Sequence, residues 1–322
     1  MIIIDTMAGP IIQYTAETKA QIISALRQDN LVAIPTETVY GLAADACNDQ
    51  AIVKIYATKD RPQFNPLITH VANLQQAQRY AVFNELALKL AAEFWPGPLT
   101  MVLPQTIECK ISKLVTAGLE TIAIRVPNHP ITLDLLNESD LPLAAPSANP
   151  SGRLSPTRAD HVAAGFKDMD QPVYIVDGGE TSLGLESTII AVYQNDIDIL
   201  RYGHITRTEL EKFTKINKEQ IINDKPMSPG QLLRHYSPQN QVRLNVDSVD
   251  PDELLLAFGK PLAGAFKTLN LSKSGNLVEA AANLFKMLHE LDEISDRVIA
   301  VMTVPNEGLG IAINDRLSRS QQ

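Results

Sequence analysis

Hydrophobic positions along the chain follow two periods, and helical and strand-like segments alternate. A helical period begins at Thr15, and Asp49 and Asn84 can each cap a further helix, the first running through residue 58 and the second ending before Pro96. Short apolar runs between turn residues predict strands at 31–35, 67–71, 121–126, 141–146 and 173–177. This alternation of helices and strands predicts an α/β fold.

The apolar segments 187–192 and 197–201 are separated only by residues 193–196, which predicts a β-hairpin. A hairpin beside strand–helix units favours a mixed sheet over a purely parallel one. A further helix is predicted over 206–216.

The composition changes after this segment, because the stretch up to about residue 240 is polar and contains Pro226, Pro229 and Pro238. We interpret it as a Pro-containing linker. Beyond it, strands predicted at 242–246, 262–266 and 298–304 alternate with helices predicted at 250–258, 276–291 and 308–317, an order typical of a small parallel α/β unit. The predicted division is a catalytic domain over 1–210, a linker over 211–240 and a small α/β domain over 241–322.

Composition narrows the class of protein. The chain has 322 residues, of which 45% are hydrophobic, and carries a net charge of −9. That charge argues against nucleic acid as a tightly held ligand. We find no apolar run long enough to cross a bilayer, and only Cys47 and Cys109 as cysteines, so we expect a cytoplasmic protein with no membrane partner.

Polar clusters follow several predicted strands. The segment PTETVYGL contains Thr36, Thr38 and Tyr40, and KDRPQFNPLITH contains Lys59 and Arg61 two residues apart, followed by Asn65 and His70. Ligands of open α/β sheets usually bind where strands end, and an extended Lys-x-Arg pair places both cations on one side. Such a pair can hold a polyphosphate.

Two later segments repeat this arrangement. APSANPSG brings Ser147 and Asn149 directly after a strand, with Ser155 close behind, and GLESTII brings Ser187 to the start of the predicted hairpin. Thr121 and Arg125 lie at the two ends of another strand, and Arg201 ends the hairpin. We find no Walker, dinucleotide, HExxH or GxSxG motif. The residues alone therefore predict an α/β protein with an anion-binding site.

Taken in order, these four segments resemble the threonylcarbamoyl-AMP synthase family, whose Lys-x-Arg and Ser-x-Asn signature is matched by Lys59, Arg61, Ser147 and Asn149. SPGQLLRHYSP at 228–238 and GLGIAINDRLSRS near the end resemble the longer, two-domain members, so nearly the whole chain is covered. The resemblance implies a large twisted mixed sheet of the YrdC-like kind, joined to the small C-terminal domain.

The resemblance also implies an activity. Such an enzyme is a nucleotidyltransferase that joins L-threonine, bicarbonate and ATP into threonylcarbamoyl-AMP, for threonylcarbamoyladenosine formation in tRNA next to the anticodon. It implies threonine binding by Thr38, His70, Arg125, Ala145 and Ser187. It implies ATP binding by Lys59, Arg61, Asn65, Thr121, Ser147, Asn149, Ser155, Arg201 and Tyr236.

Within this interpretation Lys59 and Arg61 are the expected catalytic groups, since negative charge accumulates on the phosphoryl oxygens. Mg²⁺ is expected to arrive with ATP rather than in a protein metal cage. The segment 228–238 is expected to act as a lid. The product is expected to pass to downstream tRNA-transfer machinery, without stable nucleic-acid binding by this chain.

The sequence leaves three alternative functions open. A nucleic-acid-binding module would use Lys59, Arg61, Arg125 and Arg201 as phosphate contacts. The acidic net charge of the chain argues against this alternative. A carbamoyltransferase of the kind that contains a YrdC-like domain would need zinc-finger segments, and the sequence has no Cys-x-x-Cys pair. A non-catalytic regulatory domain would not need all four clusters.

Overall fold

The structure is a computed structural model that describes residues 3–6, 9–169, 173–219 and 236–321. Its helices are α1 (Ala16–Arg27), α2 (Asp49–Lys59), α3 (Leu74–Ala77), α4 (Glu85–Phe94), α5 (Pro130–Ser139), α6 (Ala159–Gly165), α7 (Arg207–Leu210), α8 (Leu277–Asp292) and α9 (Leu309–Ser320). Its strands are β1 (Ile3–Thr6), β2 (Gly9–Gln13), β3 (Val32–Ile34), β4 (Gly41–Asp45), β5 (Ile68–His70), β6 (Leu99–Pro104), β7 (Thr121–Arg125), β8 (Leu143–Ala144), β9 (Tyr174–Asp177), β10 (Thr188–Val192), β11 (Asp196–Arg201), β12 (Lys215–Glu219), β13 (Val242–Val246), β14 (Leu254–Ala257), β15 (Lys267–Asn270) and β16 (Ile299–Met302).

Local signals explain where the first helices begin. Thr15 forms a reciprocal capping box with Thr18 at the start of α1, and Asn84 caps α4 through the amide of Ala87. The cap of α2 is Asn48, one residue before the predicted Asp49, because the Asn48 side chain accepts from the amides of Gln50 and Ala51.

The first twelve strands form one large mixed sheet in the order β1-β2-β9-β3-β4-β8-β5-β7-β6-β10-β11-β12. The sheet contains both parallel pairs, such as β5 with β7, and antiparallel pairs, such as β10 with β11. The predicted mixed sheet and hairpin are therefore confirmed. This order makes β3, β4, β8, β5, β7, β6, β10 and β11 consecutive neighbours, although they come from distant parts of the chain.

The two faces of the large sheet are covered differently. On one face, residues such as Ile122 and Ile124 of β7 belong to the main apolar core, together with side chains of α2 and α4. On the opposite face, Ile68, Val102, Ala123, Ile189, Ala191 and Leu200 form a small separate apolar cluster. We call this second face the concave face, and the candidate site lies on it.

The remaining strands form a four-stranded sheet in the order β13-β16-β14-β15, with every pair parallel. The predicted small parallel unit is thus confirmed, but its internal order is not. The predicted helix at 250–258 is wrong, because residues 254–257 are strand β14, buried throughout. The predicted strand at 262–266 is also wrong, since the strand lies at Lys267–Asn270.

The helix predicted over 206–216 is wrong beyond its first turn. Thr206 and Glu209 form a capping box, but the helix ends at Leu210, and Lys215–Glu219 instead pairs with β11 as a parallel strand. The predicted domain bounds stay a prediction, and residues 228–235 of the predicted lid lie outside the described residues.

The two sheets share one interface. Val39, Leu154 and Leu185 from the first part of the chain pack in the same apolar cluster as Phe285 and Leu317 of α8 and α9. Contacts across this interface therefore reach the loops that surround the candidate site. Within the described ranges, we find no helix both long enough and apolar enough to span a membrane.

Candidate functional site

A cavity on the concave face collects the ends of neighbouring strands. Its lining residues come from every polar cluster that the sequence singled out: Thr36, Thr38, Val39, Gly41, Arg61, Ile68, His70, Arg125, Ala145, Pro146, Ser147, Glu186, Ser187, Arg201 and Tyr236. The clusters meet because β3, β4, β8, β5, β7, β10 and β11 lie in one continuous part of the sheet. The cavity is therefore assembled by topology from segments that are remote in sequence.

Arg125, at the end of β7, is held from three sides. Its Nε donates to the Gly97 carbonyl at 3.1 Å, and its Nη1 donates to Thr38 Oγ1 at 3.1 Å. Its Nη2 lies 2.6 Å from Glu37 Oε1 in a buried ion pair. A guanidinium has five N–H groups, so one on each Nη stays available. Two such groups can bind a carboxylate through both oxygens.

Thr36 orders the loop that presents Thr38. The Thr36 hydroxyl donates to the Val39 carbonyl at 2.7 Å and lies 2.8 Å from Thr38 Oγ1, while it also accepts from the Thr38 amide. The polar side chains of this loop are therefore fixed by one another before any ligand binds.

His70 lies at the end of β5, directly beside Arg125 in the strand register. Burial, with a smaller contribution from Arg125, lowers the pKa of His70 to about 3, so the imidazole is neutral at neutral pH. Its Nδ1 atom is buried and has no hydrogen-bond partner among the described residues. A neutral ring of this kind can accept a hydrogen bond from a ligand.

Lys59 is buried at the end of α2 and points toward the loop after β8 rather than into the cavity. Its Nζ donates to the carbonyls of Ser147, at 2.5 Å, and Asn149. Burial and the neighbouring Arg61 lower the pKa of Lys59 well below its ordinary value. Lys59 therefore shapes the backbone of the Ser-x-Asn loop, and a nearby phosphate would raise its pKa again.

Arg61 does line the cavity. Its Nε donates to the Asn65 carbonyl at 3.3 Å and its Nη2 to the Pro66 carbonyl at 3.0 Å, which leaves Nη1 free to meet a ligand. Burial lowers the pKa of Arg61 to about 10, so the group stays cationic at neutral pH. Asn65 is buried and does not line the cavity.

A β-bulge places Arg201 on the concave face. Ile189 pairs with Arg201 but Ile190 pairs with Ile199, so Leu200 is an extra residue in β11. The Arg201 guanidinium then donates to the Ser187 carbonyl from both Nε and Nη2, and to Ser187 Oγ at 3.1 Å. No described hydrogen bond uses its Nη1 group, and the residue lines the cavity.

Glu186 was not predicted as a site residue, although it lines the cavity. Its Oε1 accepts from the Ser155 hydroxyl at 2.6 Å, and its Oε2 accepts from Arg316 Nε at 2.9 Å. Burial alone would raise the pKa of Glu186, but Arg316, Arg201 and these hydrogen bonds outweigh it and lower the pKa to about 2. The carboxylate is therefore ionised at neutral pH.

Tyr236 closes one side of the cavity. It has a left-handed backbone with φ of 68°, and its ring packs against Phe285 with centroids 5.4 Å apart. Burial raises the pKa of Tyr236 to about 12, so the phenol stays protonated. This residue, the one predicted from the linker, does lie at the site.

The other predicted residues do not line the cavity. Thr121 begins β7, on the same face as Ala123 and Arg125 but at the opposite end of the strand. Asn149 is buried and donates to the carbonyls of Pro150 and Arg153, so it shapes its own loop. Ser155 reaches the cavity only through Glu186.

The charges at the site favour an anionic ligand. In the part of the chain that the structure describes, four cationic side chains are buried around the cavity, but only two carboxylates, those of Glu37 and Glu186. The cations are Lys59, Arg61, Arg125 and Arg201. Among the described residues, no group of three or more His, Cys, Asp or Glu side chains could hold a metal ion. The missed residues, Glu37 and Glu186, were visible in PTETVYGL and GLESTII, but their partners are far away in sequence.

Comparison with known families covers nearly the whole chain. A family model described as telomere recombination matches residues 24–203, and a second, described as the C-terminal domain of threonylcarbamoyl-AMP synthase, matches residues 205–321. The boundary between the two matches falls after the hairpin of β10 and β11.

Individual relatives agree with the family models. The chain is 39% identical to a threonylcarbamoyl-AMP synthase of Bacillus subtilis, covering 94% of this chain and 92% of that protein. It is 35% identical to one of Schizosaccharomyces pombe, covering 91% and 85%. A crystal structure of Pyrococcus abyssi Sua5 complexed with L-threonine superposes with a TM-score of 0.87 at 35% identity, over 96% of each chain.

Proposed function

The chain belongs to the threonylcarbamoyl-AMP synthase family, and from this membership we propose that it makes threonylcarbamoyl-AMP and pyrophosphate from L-threonine, bicarbonate and ATP. The observation that carries the proposal is the cavity, which Arg61, Arg125 and Arg201 line together, each with guanidinium N–H groups that no described hydrogen bond uses. Mg²⁺ would enter as part of the nucleotide substrate. The product would serve threonylcarbamoyladenosine formation in tRNA, through downstream transfer machinery in the cytoplasm.

The threonine end of the cavity is proposed to be the region around β5 and β7. The spare N–H groups of Arg125 suit the carboxylate of the amino acid, and the free Nδ1 of His70 suits its hydroxyl. Thr38 and Ser187 supply hydroxyls, and Ala145 leaves room for backbone contact. The Arg125–Glu37 ion pair would keep the guanidinium in one orientation.

The nucleotide is proposed to lie on the side of Arg61 and Arg201. Lys59 supports it indirectly, by holding the Ser147–Asn149 carbonyls and so turning that loop toward the phosphates. The apolar cluster around Ala123 continues the concave face toward Thr121, which offers a surface for the base. Asn65, Asn149 and Ser155 would act on this half through the loops they order.

The reaction proceeds in two steps in this proposal. The threonine amine attacks bicarbonate to form a carbamate with loss of water, and a carbamate oxygen then attacks the α-phosphorus as pyrophosphate leaves. Arg61 and Arg201 stabilise the charge that develops on the phosphoryl oxygens. The lowered pKa values of His70, about 3, and of Glu186, about 2, make both groups weak bases, so in this proposal positioning and electrostatics carry the rate.

The proposed lid is supported at its described end. Tyr236 is buried at the cavity edge, and Ser237 donates its amide to the Gly152 carbonyl at 2.7 Å. A segment anchored there would shield a water-sensitive acyl phosphate from hydrolysis. The lid role of the residues before Tyr236 is part of the proposal.

The test is pyrophosphate release by purified protein with Mg–ATP, bicarbonate and L-threonine, omitting each substrate in turn. We expect release that requires both threonine and bicarbonate and that L-serine supports poorly. ATP binding without threonine-dependent release would contradict the proposed reaction.

A further inference from the structure

Arg316 belongs to α9 in the C-terminal part of the chain, yet its side chain ends at the cavity wall. It is 1% exposed, which is rare for arginine. Its Nε donates to Glu186, its Nη1 to Asp315 at 2.6 Å, and its Nη2 to the Tyr202 carbonyl at 2.7 Å. These three hydrogen bonds fix the position of the buried Arg316 guanidinium.

Glu186 is the group in the cavity wall that most needs this partner. Its carboxylate is buried and faces the same space as Arg61 and Arg201. An uncompensated buried carboxylate is costly, and here it would also repel the phosphates of a nucleotide. Arg316 neutralises the charge of Glu186 and is not itself one of the residues that line the cavity.

The same contacts fix two further residues. Because Glu186 Oε2 is held by Arg316, Oε1 is directed at Ser155, whose hydroxyl donates to it. The Arg316 guanidinium also lies 5.2 Å from the centre of the Tyr236 ring. One side chain of α9 therefore reaches the carboxylate, the serine and the aromatic edge of the cavity.

We propose that Arg316 is a positioning residue of the nucleotide site: by pairing with Glu186 it fixes Ser155 and Tyr236, so that the C-terminal unit completes the ATP-binding half of the cavity. This inference rests on the proposed function, because it assigns that half to ATP. It also gives the C-terminal unit a role in binding in addition to its packing. The threonine half, built around Arg125 and His70, makes no described contact with Arg316.

The test compares ATP and threonine binding in full-length variants by calorimetry, alongside pyrophosphate release. R316A is expected to weaken ATP binding and raise the KM for ATP by about 30-fold or more, with kcat changed much less. Threonine affinity should stay within about twofold. R316K keeps the charge but loses the planar fork, so an intermediate loss of about tenfold is expected.

Removal of the carboxylate gives the deciding measurement. In R316A/E186Q the unpaired charge is gone, so ATP affinity should recover severalfold relative to R316A. A purely structural role for Arg316 would lower and restore ATP and threonine affinities together, whereas the proposed role moves the ATP affinity alone. The control is R243A in the four-stranded unit, where Arg243 pairs with Glu253 away from the cavity, and ATP affinity should stay near that of the wild type.

The inference is overturned if R316A and R316K bind ATP as the wild type does. It is also overturned if ATP and threonine affinities fall together, with or without recovery in the double variant. If R316A does not fold, the ATP affinity of R316K alone tests the role of Arg316. Wild-type protein that binds ATP but releases no pyrophosphate would defeat the proposed reaction, while the ATP affinities would still decide the role of Arg316.

Discussion

Buried polar side chains serve different purposes in the two sheets. In the four-stranded unit they satisfy local needs: Ser272 accepts from the Asn276 amide before α8, and Glu253 pairs with Arg243 and accepts from the Asp250 amide. On the concave face of the large sheet, Arg61 and Arg201 are buried with hydrogen-bonding capacity to spare. Spare capacity in buried groups is costly without a ligand, so it marks the ligand site more clearly than burial or charge does.

The largest expected effect is the loss of activity when a buried cation at the cavity is removed. Arg61→Ala should lower kcat/KM by about 100- to 1,000-fold, because it removes a fixed cation from the phosphoryl region. Lys59→Ala should be comparably severe, since it releases the Ser147–Asn149 loop. Pyrophosphate release measures both.

His70→Ala should cost only about tenfold, the value of one hydrogen bond. The control is Lys54→Ala, on the same helix as Lys59, where Nζ donates to the Asp29 carbonyl away from the cavity. Equal losses for Arg61, Lys59 and His70 variants would show that the cations have no special role.

A smaller effect is expected at the interface that joins the two units. Gly184 has φ of 67°, and a Cβ there would lie 2.4 Å from the Ala282 carbonyl oxygen of α8. Gly184→Ala should therefore lower the free energy of unfolding by about 2–4 kcal/mol, from backbone strain and overpacking together. Chemical denaturation measures it.

Gly179→Ala separates the two causes. Gly179 also has a positive φ, of 74°, but a Cβ there meets nothing within 4 Å. Strain alone should cost about 1 kcal/mol. Equal losses at Gly184 and Gly179 would mean that the close approach of α8 is not what matters.

At the interface between the two units, an effect smaller than that of Gly184→Ala concerns pH. His161 of α6 and His289 of α8 stack across the interface with ring centroids 4.0 Å apart. Burial, and then His289, lower the pKa of His161 to about 3, and burial lowers the pKa of His289. Asp160 and Asp292 face the pair and favour its charged form, while Arg158 and Lys286 oppose it.

Because these histidines stay neutral in the folded chain but take up protons when unfolded, stability falls as pH drops below about 6.5 toward 3. We expect His161→Gln to remove roughly 1–2 kcal/mol of the loss between pH 7 and pH 5. Thermal melts at both pH values measure it. An unchanged difference between the two melts would assign the acid sensitivity to other groups.

Much of the large sheet could be predicted from sequence, because strand alternation and turn residues are local signals. The polar residues at strand ends were also predictable, and the rule that ligands bind there explains why His70, Arg125 and Arg201 meet. What the sequence could not supply is the pairing of charges. Glu186 and Arg316 are 130 residues apart, and only the packing of α9 against the large sheet brings them together.

The wrong secondary-structure predictions have a related cause. The buried run at β14 fits a helix or a strand equally well by pattern. Asp250 and Glu253 resemble a helix start, and the Glu253 side chain accepts from the Asp250 amide while the Glu253 amide donates to the Asp250 carbonyl, yet the chain then extends into the parallel sheet. Tertiary pairing with β15 and β16 decides the outcome there.

Because Leu200 is an extra residue in β11, the number of residues in this strand decides on which face of the sheet Arg201 lies. Without it, the regular alternation of side chains would turn Arg201 to the opposite face of the sheet. Substitutions along this hairpin can be absorbed one at a time, but a single-codon deletion would move every later side chain out of phase. Alignment gaps within the hairpin should therefore be rarer among active relatives than changes of residue type, and a gap there would signal that Arg201 no longer faces the cavity.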